Sequence, residues 1–290
     1  MPWLQLTFDS NAQHAEALSE HLLEFGAVSV TLTDGKDQPV YEPALNTTPV
    51  WDNTQVTALF DENHDVQQLH QHIAELTPTP FYHTETLQDQ DWVRVCLADF
   101  HPMQFGQNIW VCPSWEKVVD ENAVNIYLDP GLAFGTGTHP TTALCLQWLD
   151  SHPDLSGQTW IDYGCGSGIL AIAAAKLGAK KIWAVDNDPQ ALIATRDNAI
   201  KNKVSDKIIT VLPEDLPSQQ ADGLLANILA NPLLQLANTL SRLLHPQAPI
   251  ILSGILADQA TLIQDQYTGD FNQLNTQQQA GWIRIAGIKS

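Results

Sequence analysis

Hydrophobic positions in the first ninety residues switch between two periods. Leu4, Leu6 and Phe8 alternate, which predicts a half-buried strand. Ala15, Leu18, Leu22 and Phe25 follow at helical spacing, and Gly26 supplies a stop. Val28, Val30 and Leu32 alternate again. A polar stretch from Asp34 to Asn53 separates them from Val56, Ala58 and Phe60, a third strand. Val66, Leu69, Ile73 and Leu76 return to helical spacing and end at Pro78 and Pro80. Tyr82 to Leu87 reads as a fourth strand. The predicted order is β-α-β-β-α-β, the split pattern of ferredoxin-like modules. No residue in this unit points to chemistry, so recognition is the expected role, with structural support as the alternative.

The pattern then changes. Gln88 to Asp91 is polar and predicts a hinge, and Trp92 to Phe100 reads as helical. Gln107 to Cys112 and Val124 to Leu128 predict strands. A helix is expected to start near Pro140. From Thr159 onward short apolar runs alternate with helical segments. Strands are predicted at Thr159 to Ile161, Lys181 to Val185, Ile208 to Leu212, Gly223 to Ile228 and Pro249 to Leu252. Two more fall near Phe271 to Leu274 and Ile283 to Gly287. Helices are predicted at Ile169 to Leu177, Gln190 to Asn202, Pro232 to Leu244 and Gln259 to Tyr267. Asp188-Pro189 provides a cap and a first-turn proline for the second of these. This alternation predicts an α/β, doubly wound, mostly parallel sheet, whose ligands bind beyond the carboxyl ends of the strands.

A chain of 290 residues with 44% apolar content has ample material for a core. No apolar run approaches the roughly 20 residues of a membrane span. Met1-Pro2-Trp3-Leu4 lacks the basic and apolar regions of a signal peptide. Cys96, Cys112, Cys145 and Cys165 form no C-x-x-C pair. They read as reduced thiols, so a cytoplasmic protein is expected. The histidines lack ligand spacing, and no metal is expected. The net charge of −20 disfavours phosphate backbones and favours basic partners, although solubility alone would also account for it.

The candidate chemistry concentrates at Asp162-Tyr163-Gly164-Cys165-Gly166-Ser167-Gly168. A strand enters this turn and a helix leaves it. Glycines let a backbone approach a ligand that a Cβ would exclude. Asp186, at the tip of the next strand, can accept two ribose hydroxyls. The dinucleotide fingerprint requires a third glycine one position later, where this chain has Ile169. No basic residue sits in the turn to meet a diphosphate. The pattern instead suits S-adenosylmethionine: turn N–H groups for its carboxylate, and an acid such as Asp162 for its ammonium.

Three further motifs lie near the same sheet edge. Asp129 to Thr142 reads DPGLAFGTGTHPTT, with Thr138, Thr141 and Thr142 offering hydroxyls at a helix N-terminus. A flexible loop with an ordinary cap is the alternative. His139 could be a base or a hydrogen-bonded structural residue. Asn227 ends a buried run where a polar orienting group is useful, while Asn231 before Pro232 is the better helix cap. Glu214 and Asp215 could accept from an adenine amine or be solvated loop acids.

The loop DPGLAFGTGTHPTT, the turn DYGCGSG and the segment ANIL together resemble the ribosomal protein L11 methyltransferase family (PrmA), and the resemblance runs through essentially the whole chain. It implies a Rossmann-like class I methyltransferase with a seven-stranded sheet and an N-terminal ferredoxin-like α+β domain. The domains expected are 1–90 for substrate recognition, 91–125 as connector and 126–290 for S-adenosylmethionine-dependent methyl transfer. It implies cofactor contacts at Thr142, Gly164, Asp186 and Asn227, to which the turn adds Gly166 and Gly168. It implies methylation of lysine amines of ribosomal protein L11, free or in the assembling large subunit, with the N-terminal amine as a further candidate. No direct nucleic-acid or membrane contact is expected. Cys96 stands where relatives often carry a second Trp in the connector helix, which bears on hinge packing and not on chemistry.

The rival readings are methylation of another protein, a nucleic acid or a small molecule by the same domain, and a nicotinamide-dependent oxidoreductase, which Ile169 opposes. No dedicated catalytic base is evident.

Overall fold

The computed structural model describes residues 2–38, 40, 48–65, 68–69, 71, 82–87, 100–129 and 139–290. The chain divides into two compact units, Met1–Val95 and Cys96–Ser290.

The first unit contains β1 (Trp3–Ser10), α1 (Ala15–Glu24), β2 (Ser29–Asp34), β3 (Thr54–Asp61) and β4 (Tyr82–Leu87). The strands pair antiparallel in the order β2-β3-β1-β4. Alternate residues Val56, Ala58 and Phe60 of β3 and Leu6 and Phe8 of β1 are buried against Ala15, Leu18 and Leu22 of α1. That order is the one a split β-α-β pattern requires. Most of the helix expected over Val66 to Leu76 lies outside the described residues, although Leu69 joins the core. The expected hinge and the Trp92 to Phe100 helix also lie outside them, except for Phe100 itself.

The second unit opens with a small sheet of β5 (Met103–Phe105), β6 (Ile109–Cys112) and β7 (Val124–Tyr127). β5 has too few residues to show a period. The main sheet has seven strands: β8 (Thr159–Tyr163), β9 (Lys181–Val185), β10 (Ile208–Val211), β11 (Gly223–Asn227), β12 (Pro249–Leu256), β13 (Phe271–Gln279) and β14 (Trp282–Lys289). Their order is β10-β9-β8-β11-β12-β14-β13. The first five are parallel, and β14 runs antiparallel to both neighbours. Helices α2 (Pro140–Asp150), α3 (Ile169–Lys176), α4 (Pro189–Lys201), α5 (Ala230–Arg242) and α6 (Ala260–Tyr267) complete the unit.

Both sheet faces are covered, as a parallel sheet demands. Successive strand residues enter different cores: Trp160 and Leu225 pack with α2 and α3, while Ile161, Leu224 and Ala226 pack with α5 and α6. The strand order reverses between β8 and β11, which opens a crevice at their carboxyl ends.

Several boundaries differ from expectation, β12 running on to Leu256 among them. Helix α5 starts at Ala230, not Pro232, so Asn231 lies inside its first turn and is not its cap; Leu229 occupies that place without a side-chain cap. Strand β13 runs on to Gln279 because its polar residues lie on an exposed edge, where no alternating apolar signal is required. Among the described residues no helix is long and apolar enough to cross a membrane.

Candidate cofactor and active site

Strand β8 ends in the glycine turn, and α3 starts directly after it. Gly164, Gly166 and Gly168 have φ of +79°, +53° and +79°, the left-handed region that a side chain strains. The turn is sewn to the neighbouring strand: Gly164 N and Cys165 N donate to Val185 O at 2.7 and 2.9 Å. A Cβ on Gly164 would lie 2.2 Å from Ile228 Cγ2, so β8 and the segment after β11 meet in close contact here. Ile169, where a dinucleotide turn needs its third glycine, is a buried first residue of α3.

Asp186 follows β9 and faces the turn. Its Oδ2 accepts from Gly166 N at 2.9 Å and its Oδ1 from Asp188 N at 3.0 Å. A carboxylate has about four acceptor positions, so two remain for hydroxyl donors. Asp188 in turn caps α4 through Gln190 N at 2.8 Å, as its sequence predicts.

Asp162 is 1% exposed. Its Oδ2 accepts from Ala171 N, in the first turn of α3, at 3.0 Å. The strand thus supplies the cap that Gly168 cannot. Its Oδ1 is buried with no hydrogen-bond partner. Burial pushes its pKa up to about 7; the Ala171 N–H opposes this and the nearby Asp186 carboxylate adds to it. A buried acid with one orphan oxygen is costly unless a donor reaches it. A ligand ammonium meets that need.

Thr142 and Asn227 lie on the other side of the crevice. Thr142 is fully buried in the first turn of α2, and Asn227 ends β11. Asn227 Nδ2 donates to Thr142 Oγ1 at 3.2 Å. The register that pairs Leu225 with Asp162 places Asn227 level with Gly164. The six residues expected at the site therefore form two clusters, Gly164, Gly166, Gly168 and Asp186 in one and Thr142 and Asn227 in the other. They meet where Ile228 packs on Gly164.

His139 is the N-cap of α2. Its Nδ1 lies 2.7 Å from Thr141 Oγ1, its ring meets Trp282 edge-on at 4.7 Å, and burial lowers its pKa. That geometry caps α2. Glu214 and Asp215 stand exposed in a short turn after β10, at the same sheet edge. Residues 130–138, which carry most of the DPGLAFGTGTHPTT loop, lie outside the described residues. Asp129 before them accepts from Ser114 and pairs with Lys201 at 2.6 Å; burial alone would raise its pKa, and these partners outweigh it and lower it. Among the described residues no cluster of histidines, cysteines and acids could hold a metal.

A parallel sheet with an antiparallel final pair, a glycine turn after its first strand and an acid after its second define a Rossmann-like methyltransferase fold. The chain belongs to the ribosomal protein L11 methyltransferase family: the family described as Ribosomal protein L11 methyltransferase (PrmA) matches residues 2–290. The protein of that name from Shewanella amazonensis is 49% identical over 296 residues, covering 100% of this chain and 99% of its own. Its namesake from Pseudomonas paraeruginosa is 51% identical over 290 residues, covering 99% and 98%. A crystal structure of a ribosomal protein L11 methylase from Lactobacillus delbrueckii subsp. bulgaricus superposes with a TM-score of 0.60 at 33% identity. It covers 66% of this chain and 100% of that one.

Further side chains brace the turn from behind. Thr195 and Asn198 of α4 reach Gly166 O and Ser167 O, and Asn202 grips the Tyr127 backbone. A signal was present: Thr195 and Asn202 are polar residues on the buried stripe that Ala191, Leu192 and Ala199 define.

Proposed function

We propose that this protein methylates lysine amines of ribosomal protein L11 in the cytoplasm, using S-adenosylmethionine as the methyl donor. The observation that carries the reading is the orphan oxygen of Asp162 beside a glycine turn braced by Asp186, in a chain that matches one methyltransferase family from end to end.

When bound, S-adenosylmethionine supplies a sulfonium-activated methyl group. Asp162 Oδ1 would accept from its ammonium, and the two open acceptor positions of Asp186 would take the ribose hydroxyls. Glu214 or Asp215, exposed in the turn after β10, would accept from the adenine amine. Thr142 fixes the Asn227 amide through its nitrogen, which leaves the Asn227 carbonyl oxygen as an acceptor for an incoming amine.

A lysine amine attacks only when neutral, and its unperturbed pKa is about 10.4. Burial disfavours the charged form and lowers that value. The chain's contribution is then desolvation and alignment, with the Asn227 carbonyl orienting the amine's N–H so that its lone pair faces the methyl carbon. The N-terminal unit, which lacks catalytic candidates, supplies substrate choice. The polyanionic charge of −20 suits a basic ribosomal protein.

The test is calorimetry with S-adenosylmethionine on the wild-type chain and on Asp186→Ala, paired with mass spectrometry of ribosomal protein L11 after incubation. Binding and methylation should weaken together in the variant. Methylated product from a variant that binds no cofactor would contradict the assignment.

A further inference from the structure

Strand β14 buries a positive charge that the described residues do not neutralise. Ala286 joins the core under α2 and α3, while Ile283 and Ile285 join the other core, so Arg284 points to the α2 side. It is 5% exposed. Its Nη2 donates to Asn275 Oδ1 and Gln277 Oε1 of β13, both at 3.3 Å. Its Nε and Nη1 are buried with no hydrogen-bond partner.

Among the described residues no acid forms an ion pair with Arg284. The titratable group that acts on it is Cys145 of α2. Burial, with Asp162 adding to it, pushes the Cys145 thiol up to about 12; Arg284 and Ser253 oppose the rise without reversing it. The thiol is therefore neutral and is no counterion. Burial disfavours the charge of Arg284 as well, yet a guanidinium stays protonated.

The other neighbours are neutral amides. Gln277 Nε2 lies 3.5 Å from Gln147 Oε1, and Gln147 Nε2 lies 3.4 Å from Gln279 Oε1, both at the long limit of hydrogen bonding. These contacts join α2 to β13, whose Asn275, Gln277 and Gln279 are exposed. A buried cation left unpaired is strongly unfavourable, whereas a paired and hydrogen-bonded one is tolerated.

We propose that Arg284 is the base of a binding site for a small monovalent anion, of halide size, between β14 and α2. The anion accepts from the N–H groups of Nε or Nη1 and supplies the charge that Cys145 and the amides do not. One buried cation calls for one negative charge, and its slight exposure suits a small ion. Entry needs only the exposed Gln277 and Gln279 side chains to swing aside. Helix α2 carries Thr142 in its first turn, so the anion steadies the helix on which the Thr142–Asn227 pair depends. The site is independent of the cofactor reading and is tested without it.

The test follows thermal unfolding of the full chain while chloride replaces bulky gluconate at constant ionic strength. Each tenfold rise in chloride above its dissociation constant should raise the melting temperature by roughly 3–6 °C. Arg284→Met removes the charge, and its melting temperature should stay flat across the series. Crystals of the wild type grown in bromide should show an anomalous peak within hydrogen-bonding reach of Arg284 Nε or Nη1. A wild-type melting temperature indifferent to chloride overturns the proposal, and so does an equal response in Arg284→Met. A bromide peak without chloride stabilisation marks an adventitious ion only and overturns it too. Ordered water against Nε and Nη1, with no anomalous signal, does the same. If Arg284→Met does not fold, the wild-type titration and the bromide map decide alone.

Discussion

Asn227 Nδ2 donates to Thr142 Oγ1 at 3.2 Å, joining the end of β11 to the first turn of α2 across 85 residues of chain. Neither side chain caps a helix through this bond. It fixes the amide face of Asn227, and with it the direction of the carbonyl oxygen. A side chain used only for stability would not need that orientation.

Asn227→Ala should reduce turnover about tenfold to a hundredfold, because a misplaced amine is expensive in rate. The stability cost should be about 0.5–1.5 kcal/mol, the net worth of one part-buried hydrogen bond. Thr142→Val should produce part of the same rate loss, and the two should combine less than additively. Melting temperature and turnover measured on one preparation decide the matter. A variant that loses several degrees and keeps its turnover would make Asn227 structural.

Asp186→Ala should weaken S-adenosylmethionine binding by about 2–3 kcal/mol, as expected for losing charge-assisted bonds. It should also free Gly166 N, so amide exchange at that residue should quicken. Calorimetry showing an unchanged dissociation constant would remove Asp186 from the site.

The ligand-free protein should carry a pH dependence from Asp162. The folded pKa, near 7, lies above the ordinary value of about 4, so the folded state holds the proton more tightly. The stability contributed by protonation is full below about pH 4 and is lost as pH rises toward about 7. Asp162→Asn removes this slope, so the variant should gain stability relative to wild type across that window. A bound ammonium reverses the preference and should expel the proton. Calorimetry of cofactor binding in two buffers of different ionisation heat, below neutrality, should show proton release in wild type and none in the variant. Equal proton release in both would contradict the role.

Gly164→Ala meets two obstacles, a φ of +79° and Ile228 Cγ2 at 2.2 Å from the new methyl. The backbone strain alone costs about 1–3 kcal/mol. Ile228→Ala should relieve the clash and not the strain. The double variant should therefore be more stable than the sum of the two single changes predicts, by chemical denaturation. Simple additivity would show that the turn moves away from Ile228.

Much of this was legible in the sequence because the decisive residues break a pattern. Gly164, Gly166 and Gly168 interrupt a strand–helix passage, and Asp186 and Asn227 end apolar runs. Asp188-Pro189 announced α4 in the same way. What escaped notice depends on tertiary contact. Asn231 and Pro232 satisfy the local rules for a helix start, yet α5 begins at Ala230 because its buried face continues to that residue. Thr195 and Asn198 look like ordinary helix residues until the fold lays α4 behind the turn. Asp162 stands out in the sequence for its place before the glycines. Its orphan oxygen became visible only once α3 had taken the other one.

The central claim, lysine methylation of ribosomal protein L11, is tested most directly by incubating the purified chain with unmodified ribosomal protein L11 and S-adenosylmethionine labelled in the methyl group. Peptide mass spectrometry then locates the label. Label should appear on lysine side chains of ribosomal protein L11, and it should fall steeply at subsaturating cofactor when Asp186→Ala replaces the wild type. Label that enters RNA or a small molecule while ribosomal protein L11 stays unmodified, with the cofactor demonstrably bound, would contradict the account.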